Sequence, residues 1–304
     1  MRLILLLTAL ALAASADVRT HPGGKELPHE KYIRVVSESD SPVERLYIKT
    51  KDGLYVAAAL RKPKGAGPFP ALVYFHGAPG GRGMEQLAGW SLGATGGPVW
   101  ERFLQEGFVV VVSDYRGGRV DRALSRQITA DDITYVDDGL AIVEHVRSLS
   151  YVDSSRITAY GVSLGGNLVM HLIARANLKG AILGAPATIS FLGMTWPAVK
   201  QPSEWKEAMK SMEPDPGISR RNIDTVQTPV LILAGTADEL LPVDRRLHAM
   251  LEKSGKPVRM EVYENGYHDF CVGPQGHPGR KEPLLDATLD ALEKSLDFAR
   301  NGLK

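Results

Sequence analysis

The 304-residue chain contains a single cysteine, Cys271. No intramolecular disulfide can form, and no zinc or iron–sulfur site can be built on cysteine ligands. An excess of one charge is missing too: 36 Lys+Arg stand against 35 Asp+Glu, for a net charge of +1. That balance lacks the basic surplus that carries nucleic-acid binding, and it gives no polybasic membrane patch or acidic tail. Long hydrophobic runs are absent after the first residues, since none approaches the roughly 20 needed to cross a bilayer. What is present is the composition of a globular protein with a sizeable core, 44% hydrophobic and 23% charged.

The chain begins with Met1-Arg2, an apolar run from Leu3 to Leu12 broken only by Thr8, and then Ala14-Ser15-Ala16. A positive start, a short apolar stretch and small residues at −3 and −1 predict a signal peptide over residues 1–16, cleaved before Asp17. The run is shorter than a membrane anchor. The expected location is secreted or periplasmic, with no stable membrane insertion after cleavage. Residues 17–42 are polar and rich in Pro, Gly and His, and read as an N-terminal arm. Residues 43–304 read as one domain.

Within that domain, runs 43–50 and 54–60 flank Lys51-Asp52-Gly53, a turn signal between antiparallel strands. Short continuous apolar runs at 70–75 and 108–113 suit strands buried on both faces. Further strands are expected at 157–161, 179–184, 229–234 and 258–263. Apolar residues at helical spacing predict helices over 131–149, 164–176, 243–253 and 284–299. This alternation defines an α/β fold with a mostly parallel central sheet flanked by helices. The rhythm stops at about 186–228, where Phe191, Met194, Trp196, Trp205, Met209 and Met212 fall. Such an insertion is either a packed surface helix pair or a small helical cap over a ligand crevice at the strand ends.

Gly161-Val162-Ser163-Leu164-Gly165-Gly166 lies where a strand ends and a helix begins, the context of a G-x-S-x-G elbow. Flanking glycines remove the Cβ atoms that would collide in so sharp a turn. A serine needs an adjacent base, and histidine has a suitable pKa. His21 and His29 lie in the arm, and His145, His171 and His248 fall in helical patterns. His268 follows the last predicted strand, with His277 as second choice. Asp238 follows the strand before it and completes the chain order Ser…Asp…His. Glu239, Glu264 and Asp269 are weaker candidates for the acid.

Acyl transfer also needs backbone N–H donors for the developing oxyanion. Leu164 is one. Ala78, in the His76–Gly81 loop, is the other, with Gly77 as alternative because Pro79 has no N–H. His76 is expected to hold this loop through hydrogen bonds. Trp90, Trp196 and Trp205 are candidate substrate contacts, while Trp100 is read as core. Arg116 and Arg119 read as structural more readily than as binders of a carboxylate.

Assembled, these residues resemble an α/β-hydrolase, and more narrowly the prolyl-oligopeptidase-like (S9-type) and dienelactone-hydrolase-like branch. The resemblance covers about residues 43–300. It is carried by His76-Gly77-Ala78-Pro79-Gly80, Asp114-Tyr115-Arg116-Gly117-Gly118, Val152-Asp153-Ser154-Ser155-Arg156-Ile157, the Ser163 elbow, Gly235-Thr236-Ala237-Asp238 and Gly266-Tyr267-His268. Two departures stand out. S9 peptidases carry a large N-terminal propeller that the short arm cannot form, and dienelactone hydrolases use cysteine where this chain has Ser163. Both favour a serine esterase acting through an acyl-enzyme on a small-molecule ester, without metal or other cofactor. A peptidase or amidase acting on short peptides is the alternative, and a non-catalytic binding module on a hydrolase scaffold is the third.

Overall fold

The structure is a computed structural model that describes residues 18–20, 26–28, 41–53, 55–78, 80–92, 97–116, 134–197, 204–273 and 285–303. The expected signal peptide and most of the arm lie outside these residues. Two short strands of the arm, β1 (Val18–Thr20) and β2 (Glu26–Pro28), pair antiparallel.

The hairpin read around Asp52-Gly53 is present. Strands β3 (Glu44–Lys49) and β4 (Tyr55–Arg61) pair antiparallel in the register Ile48↔Val56, and Gly53 takes φ +86° in the turn, where a Cβ would be strained. The apolar runs give β5 (Phe69–Phe75) and β6 (Val109–Ser113). Then follow β7 (Val152–Val162), β8 (Gly180–Gly184), β9 (Val230–Gly235) and β10 (Val258–Tyr263). These eight form one sheet in the order β10-β9-β8-β7-β5-β6-β4-β3. Only β4 runs against its neighbours; the other pairings are parallel.

Among the described residues, five helices of the regular alternation lie between strands and one follows β10. They are α1 (Met84–Ser91), α2 (Gly97–Gln105), α3 (Thr134–Ser148), α4 (Leu164–Leu172), α7 (Leu241–Lys253) and α8 (Leu285–Asn301). Two more, α5 (Trp205–Ser211) and α6 (Pro216–Thr225), occupy the insertion between β8 and β9. Asp215 caps α6 by accepting from Ile218 N at 2.7 Å, with Pro216 in the first turn, the arrangement that satisfies a free helix amide and fits proline's missing N–H.

The run of valines in β6 shows why a buried parallel strand reads as uninterrupted hydrophobicity. Successive side chains point to opposite faces. Val109 and Val111 join the core that α3, α4 and α7 cover, while Val110 and Val112 join the core covered by α1, α2 and α8. Helices α1 and α2 were not anticipated from sequence. Both are short, and the sequence Gly93-Ala94-Thr95-Gly96 between them interrupts any long apolar period. Strand β7 begins five residues earlier than expected, because polar Asp153-Ser154-Ser155-Arg156 extends the edge that pairs with β5 only at Val152 before the register shifts. Helix α4 stops at Leu172, four residues short of the expected end.

Trp100 is fully buried, as expected of core, with its ring 4.2 Å from that of Tyr74 and 6.0 Å from that of Tyr160. Replacing it, Trp100→Ala, removes the largest side chain of that layer. The expected cost is about 4 kcal/mol of stability, read as a lower urea midpoint with an unchanged slope.

Candidate active site

Strand β7 hands its chain to α4 through Ser163, whose φ of 55° and ψ of −119° place a non-glycine residue in left-handed space. The turn is held on both sides. Ser163 N donates to Gly184 O at 3.0 Å, and Ser163 O accepts from Gly166, Asn167 and Ala187 N. The glycines around it are required by crowding. A Cβ on Gly161 would fall 2.3 Å from Gly165 O, one on Gly165 2.0 Å from Phe75 O, and one on Gly166 2.6 Å from the Pro186 Cβ. Such backbone strain costs on the order of 1–3 kcal/mol, and it lifts the serine side chain above the sheet edge, where it is partly exposed.

The loops after β9 and β10 are tied together. Ala237 N donates to Gly266 O at 2.9 Å, Asn265 N donates to Thr236 Oγ1 at 2.8 Å, and a Cβ on Gly235 would lie 2.1 Å from Gly266 O. This stitching brings His268 to Asp238. His268 Nδ1 lies 3.0 Å from Asp238 Oδ2, while Asp238 Oδ1 accepts from Leu240 N at 3.0 Å. A carboxylate can only accept, so Nδ1 carries the proton and Nε2 is left with its lone pair. Burial by itself would lower the imidazole pKa. The hydrogen bond and charge of Asp238, with the charges of Asp269 and Glu239, outweigh it and hold His268 above its usual value.

Three residues past His268 the chain is anchored to the neighbouring strands. Cys271 is buried with Sγ against Gly184, and its carbonyl accepts from the Tyr160 hydroxyl at 3.4 Å. Burial pushes its thiol up to about 12, so this side chain is packing, not a nucleophile. His268 and Ser163 therefore stand at the same carboxyl edge of the sheet. Among the described residues Ser163 Oγ makes no hydrogen bond. The structure thus joins Asp238 to His268 directly and holds Ser163 at that edge.

The loop after β5 reaches the same place. A Cβ on Gly77 would lie 3.2 Å from the Ser163 Cβ and 3.8 Å from its Oγ, so the chain passes the serine as closely as glycine allows. The amides of Leu164 and Ala78 donate to no acceptor among the described residues. Ala78 is exposed, and its carbonyl accepts from Arg82 at 2.8 Å. His76 holds this loop as expected: Nδ1 lies 2.6 Å from Gly77 O and Nε2 lies 3.2 Å from Asp114 Oδ1.

The remaining candidates separate clearly. Glu239, Glu264 and Asp269 are exposed. His171 is buried on α4 beside Ser190, and burial with the Arg175 charge lowers its pKa to about 4. His21, His29, His277 and Arg119 lie outside the described residues. Arg116 is structural: it donates to buried Asp138, with Nε–Oδ1 at 2.8 Å, and pairs with Asp52. Trp90 stands edge-on to His76 with ring centroids 5.4 Å apart. In the insertion, Phe191, Met194, Met209 and Met212 are buried core. Trp196 is 42% exposed, and its ring meets that of half-buried Trp205 edge-on at 6.0 Å.

A sheet of this order, with one antiparallel strand and its candidate residues following β5, β7, β9 and β10 at one edge, defines an α/β-hydrolase. The chain belongs to the prolyl oligopeptidase family, whose family model matches residues 100–288. It is 30% identical over 136 residues to the quorum-quenching protein AidA of Acinetobacter baumannii, covering 44% of this chain and 41% of that one. It is 29% identical over 184 residues to the acylamino-acid-releasing enzyme of Arabidopsis thaliana, covering 53% and 24%. The chain thus spans less than half the length of these curated relatives.

Among solved structures, the acylaminoacyl peptidase of Pyrococcus horikoshii superposes with a TM-score of 0.61 at 17% identity, over 92% of this chain and 45% of that one. A hyperthermophilic esterase from Pyrobaculum calidifontis gives 0.60 at 19% identity, over 88% of each. Both share the fold.

Two glycine substitutions test the crowding at the elbow. Gly165→Ala forces β5 and α4 apart and is expected to cost about 3 kcal/mol. Gly89→Ala, in α1 with open space around its Cβ position, is expected to gain about 0.5–1 kcal/mol. Thermal unfolding of the two variants checks the contrast.

Proposed function

We propose that the protein is a serine hydrolase that cleaves carboxylic esters through an acyl-enzyme. The observation that carries this reading is the strained Ser163 elbow at the sheet edge where Asp238 fixes the His268 tautomer. His268 Nε2 takes the Ser163 proton as Oγ attacks the carbonyl carbon. The C=O electron pair moves onto oxygen, and the N–H groups of Leu164 and Ala78 receive the negative charge. His268 then returns its proton to the departing alkoxide as the C–O bond breaks, and Asp238 stabilises the transient imidazolium. A water repeats the sequence on the acyl-enzyme and frees Ser163.

The substrate is a small ester. An alkoxide leaves more readily than an amide nitrogen, which the acid must protonate before the bond breaks. A site that cleaves amides this way also cleaves comparable esters, so ester hydrolysis is the activity this geometry supports first. Cleavage of short peptides is the second reading, favoured by the acylaminoacyl peptidase and acylamino-acid-releasing enzyme among the relatives. Trp196 and Trp205, on the insertion that follows β8, are the side chains proposed to touch the substrate, and Trp90 acts through His76. The proposal includes export: the apolar run Leu3–Leu12 followed by Ala14-Ser15-Ala16 supports reading residues 1–16 as a cleaved signal and the reaction as secreted or periplasmic.

Nitrophenyl esters set against aminoacyl-anilides separate the two readings. Ester turnover that Ser163→Ala lowers at least 10³-fold without loss of folding is expected; activity confined to anilides overturns the ester assignment.

The pH dependence follows from His268, which must be neutral to accept a proton. Its raised pKa puts the acid limb of kcat/KM above the usual histidine range, with activity lost as pH falls through that limb. In Asp238→Asn the favourable charge is gone, so the residual limb moves to lower pH.

A further inference from the structure

We propose that Asp114 is a positioning residue for catalysis: one buried carboxylate clasps the His76–Gly83 loop and holds its Ala78 amide where the oxyanion forms. The inference rests on the reading of Leu164 and Ala78 as oxyanion donors, and goes beyond it by naming what fixes one of them.

Asp114 immediately follows β6, whose last residue Ser113 is paired with Phe75, the last residue of β5. The two strand ends are adjacent, so the residue after β6 lies beneath the loop that leaves β5. Asp114 is 6% exposed. Its Oδ1 accepts from Gly81 N at 2.8 Å and Tyr115 N at 2.8 Å and faces His76 Nε2 at 3.2 Å, while Oδ2 accepts from Gly83 N at 2.8 Å. Three of these partners, His76, Gly81 and Gly83, belong to the loop and bracket its tip.

Tyr115 adds a second fastening. Its hydroxyl donates to His76 O at 2.7 Å, its ring stacks on the His76 ring at 4.7 Å, and its carbonyl accepts from Gly81 N at 2.9 Å. Gly80 runs so close that a Cβ there would lie 2.3 Å from Tyr115 O. The Asp114 backbone is itself pinned, its N donating to Ala57 O at 2.9 Å on β4. The clasp therefore refers the loop to the centre of the sheet.

Such a clasp serves rate. Oxyanion donors act because they are already aimed and need no reorganisation when charge develops, and a misplacement near 1 Å costs about 10²-fold. The loop contains several glycines, which by themselves leave the backbone free. An ionised acceptor binds N–H groups more tightly than a neutral one. Burial would raise the Asp114 pKa, but the hydrogen bonds from His76, Gly83, Tyr115 and Arg82 overcome it and hold the group at about 2. The clasp is charged throughout the range in which His268 is neutral.

Steady-state kinetics on a nitrophenyl ester, with fluorophosphonate labelling of Ser163, test this in the full chain. Asp114→Ala is expected to lower kcat about 100-fold and Asp114→Asn about 10-fold, the amide restoring part of the acceptor set. KM should stay within about twofold in both, and the labelling rate should fall in parallel with kcat. Tyr115→Phe keeps the ring and removes only the hydroxyl bond. It should lower kcat about threefold with an unchanged melting temperature, which covers the case in which the Asp114 variants fold poorly. Wild-type kcat in both Asp114→Asn and Tyr115→Phe overturns the proposal. So does a loss of activity that only tracks the folded fraction, or that appears in KM. If the wild-type protein itself fails to label at Ser163, the reading of the active site falls, and the proposal falls with it.

Discussion

The site depends on how closely four pieces of backbone can approach one another at the carboxyl edge of the sheet. The Ser163 turn, with φ of 55°, exists because Gly161 and Gly165 leave room for it and because β5 ends directly alongside. The Phe75 carbonyl occupies the space that a Cβ on Gly165 would need, and Gly77 passes the serine within van der Waals reach. Loosening of that contact moves the side chain, the helix amide beside it and the loop amide opposite it together. The strain is paid by the ladder: β7 is central, flanked by β5 and β8 in parallel register.

The histidine side is built on a different principle. Asp238 and His268 lie 30 residues apart in the chain, and the left-handed residue of the histidine loop is Asn265, with φ of 57°, not the histidine itself. Backbone bonds between Ala237 and Gly266 and between Asn265 and Thr236 fasten the two loops, and the Asp238 carboxylate completes the link to His268. Beyond them, Cys271 under Gly184 locks the far end of the histidine loop to β8.

The insertion after β8 divides its aromatic and methionine side chains between two tasks. Phe191, Met194, Met209 and Met212 are buried in the core shared with α3, α4 and α7, so the segment is part of the domain and not a detached flap. Its first turn is tied to the elbow through Ala187 N and Ser163 O, and through Asn167, which bonds Ser190 Oγ and Tyr135 Oη. Trp205 packs half-buried against that core, and Trp196 stands beside it, 42% exposed. Sequence offered a packed surface helix pair and a cap over a ligand crevice as alternatives for this segment. The buried side chains are the packing, and the cap reading belongs to the proposed substrate contacts of Trp196 and Trp205.

Strand and helix order, and the residue types at each strand end, were legible in the sequence because hydrophobic period and glycine placement are local properties. The unbroken valines of β6, the Asp52-Gly53 turn and the glycines around Ser163 each carry their meaning within a few residues. The same local signals singled out His76, Asp238 and His268 as strand-end residues. They could not say that Arg116 would pair with Asp138 and Asp52, or that Asp114 would fasten a loop 31 to 38 residues earlier in the chain. They also missed α1 and α2, whose short amphipathic patterns are fixed by the sheet face they cover. Those outcomes depend on which strand ends become neighbours, and adjacency of β5 with β6, or of β9 with β10, is created only when the sheet closes its ladder.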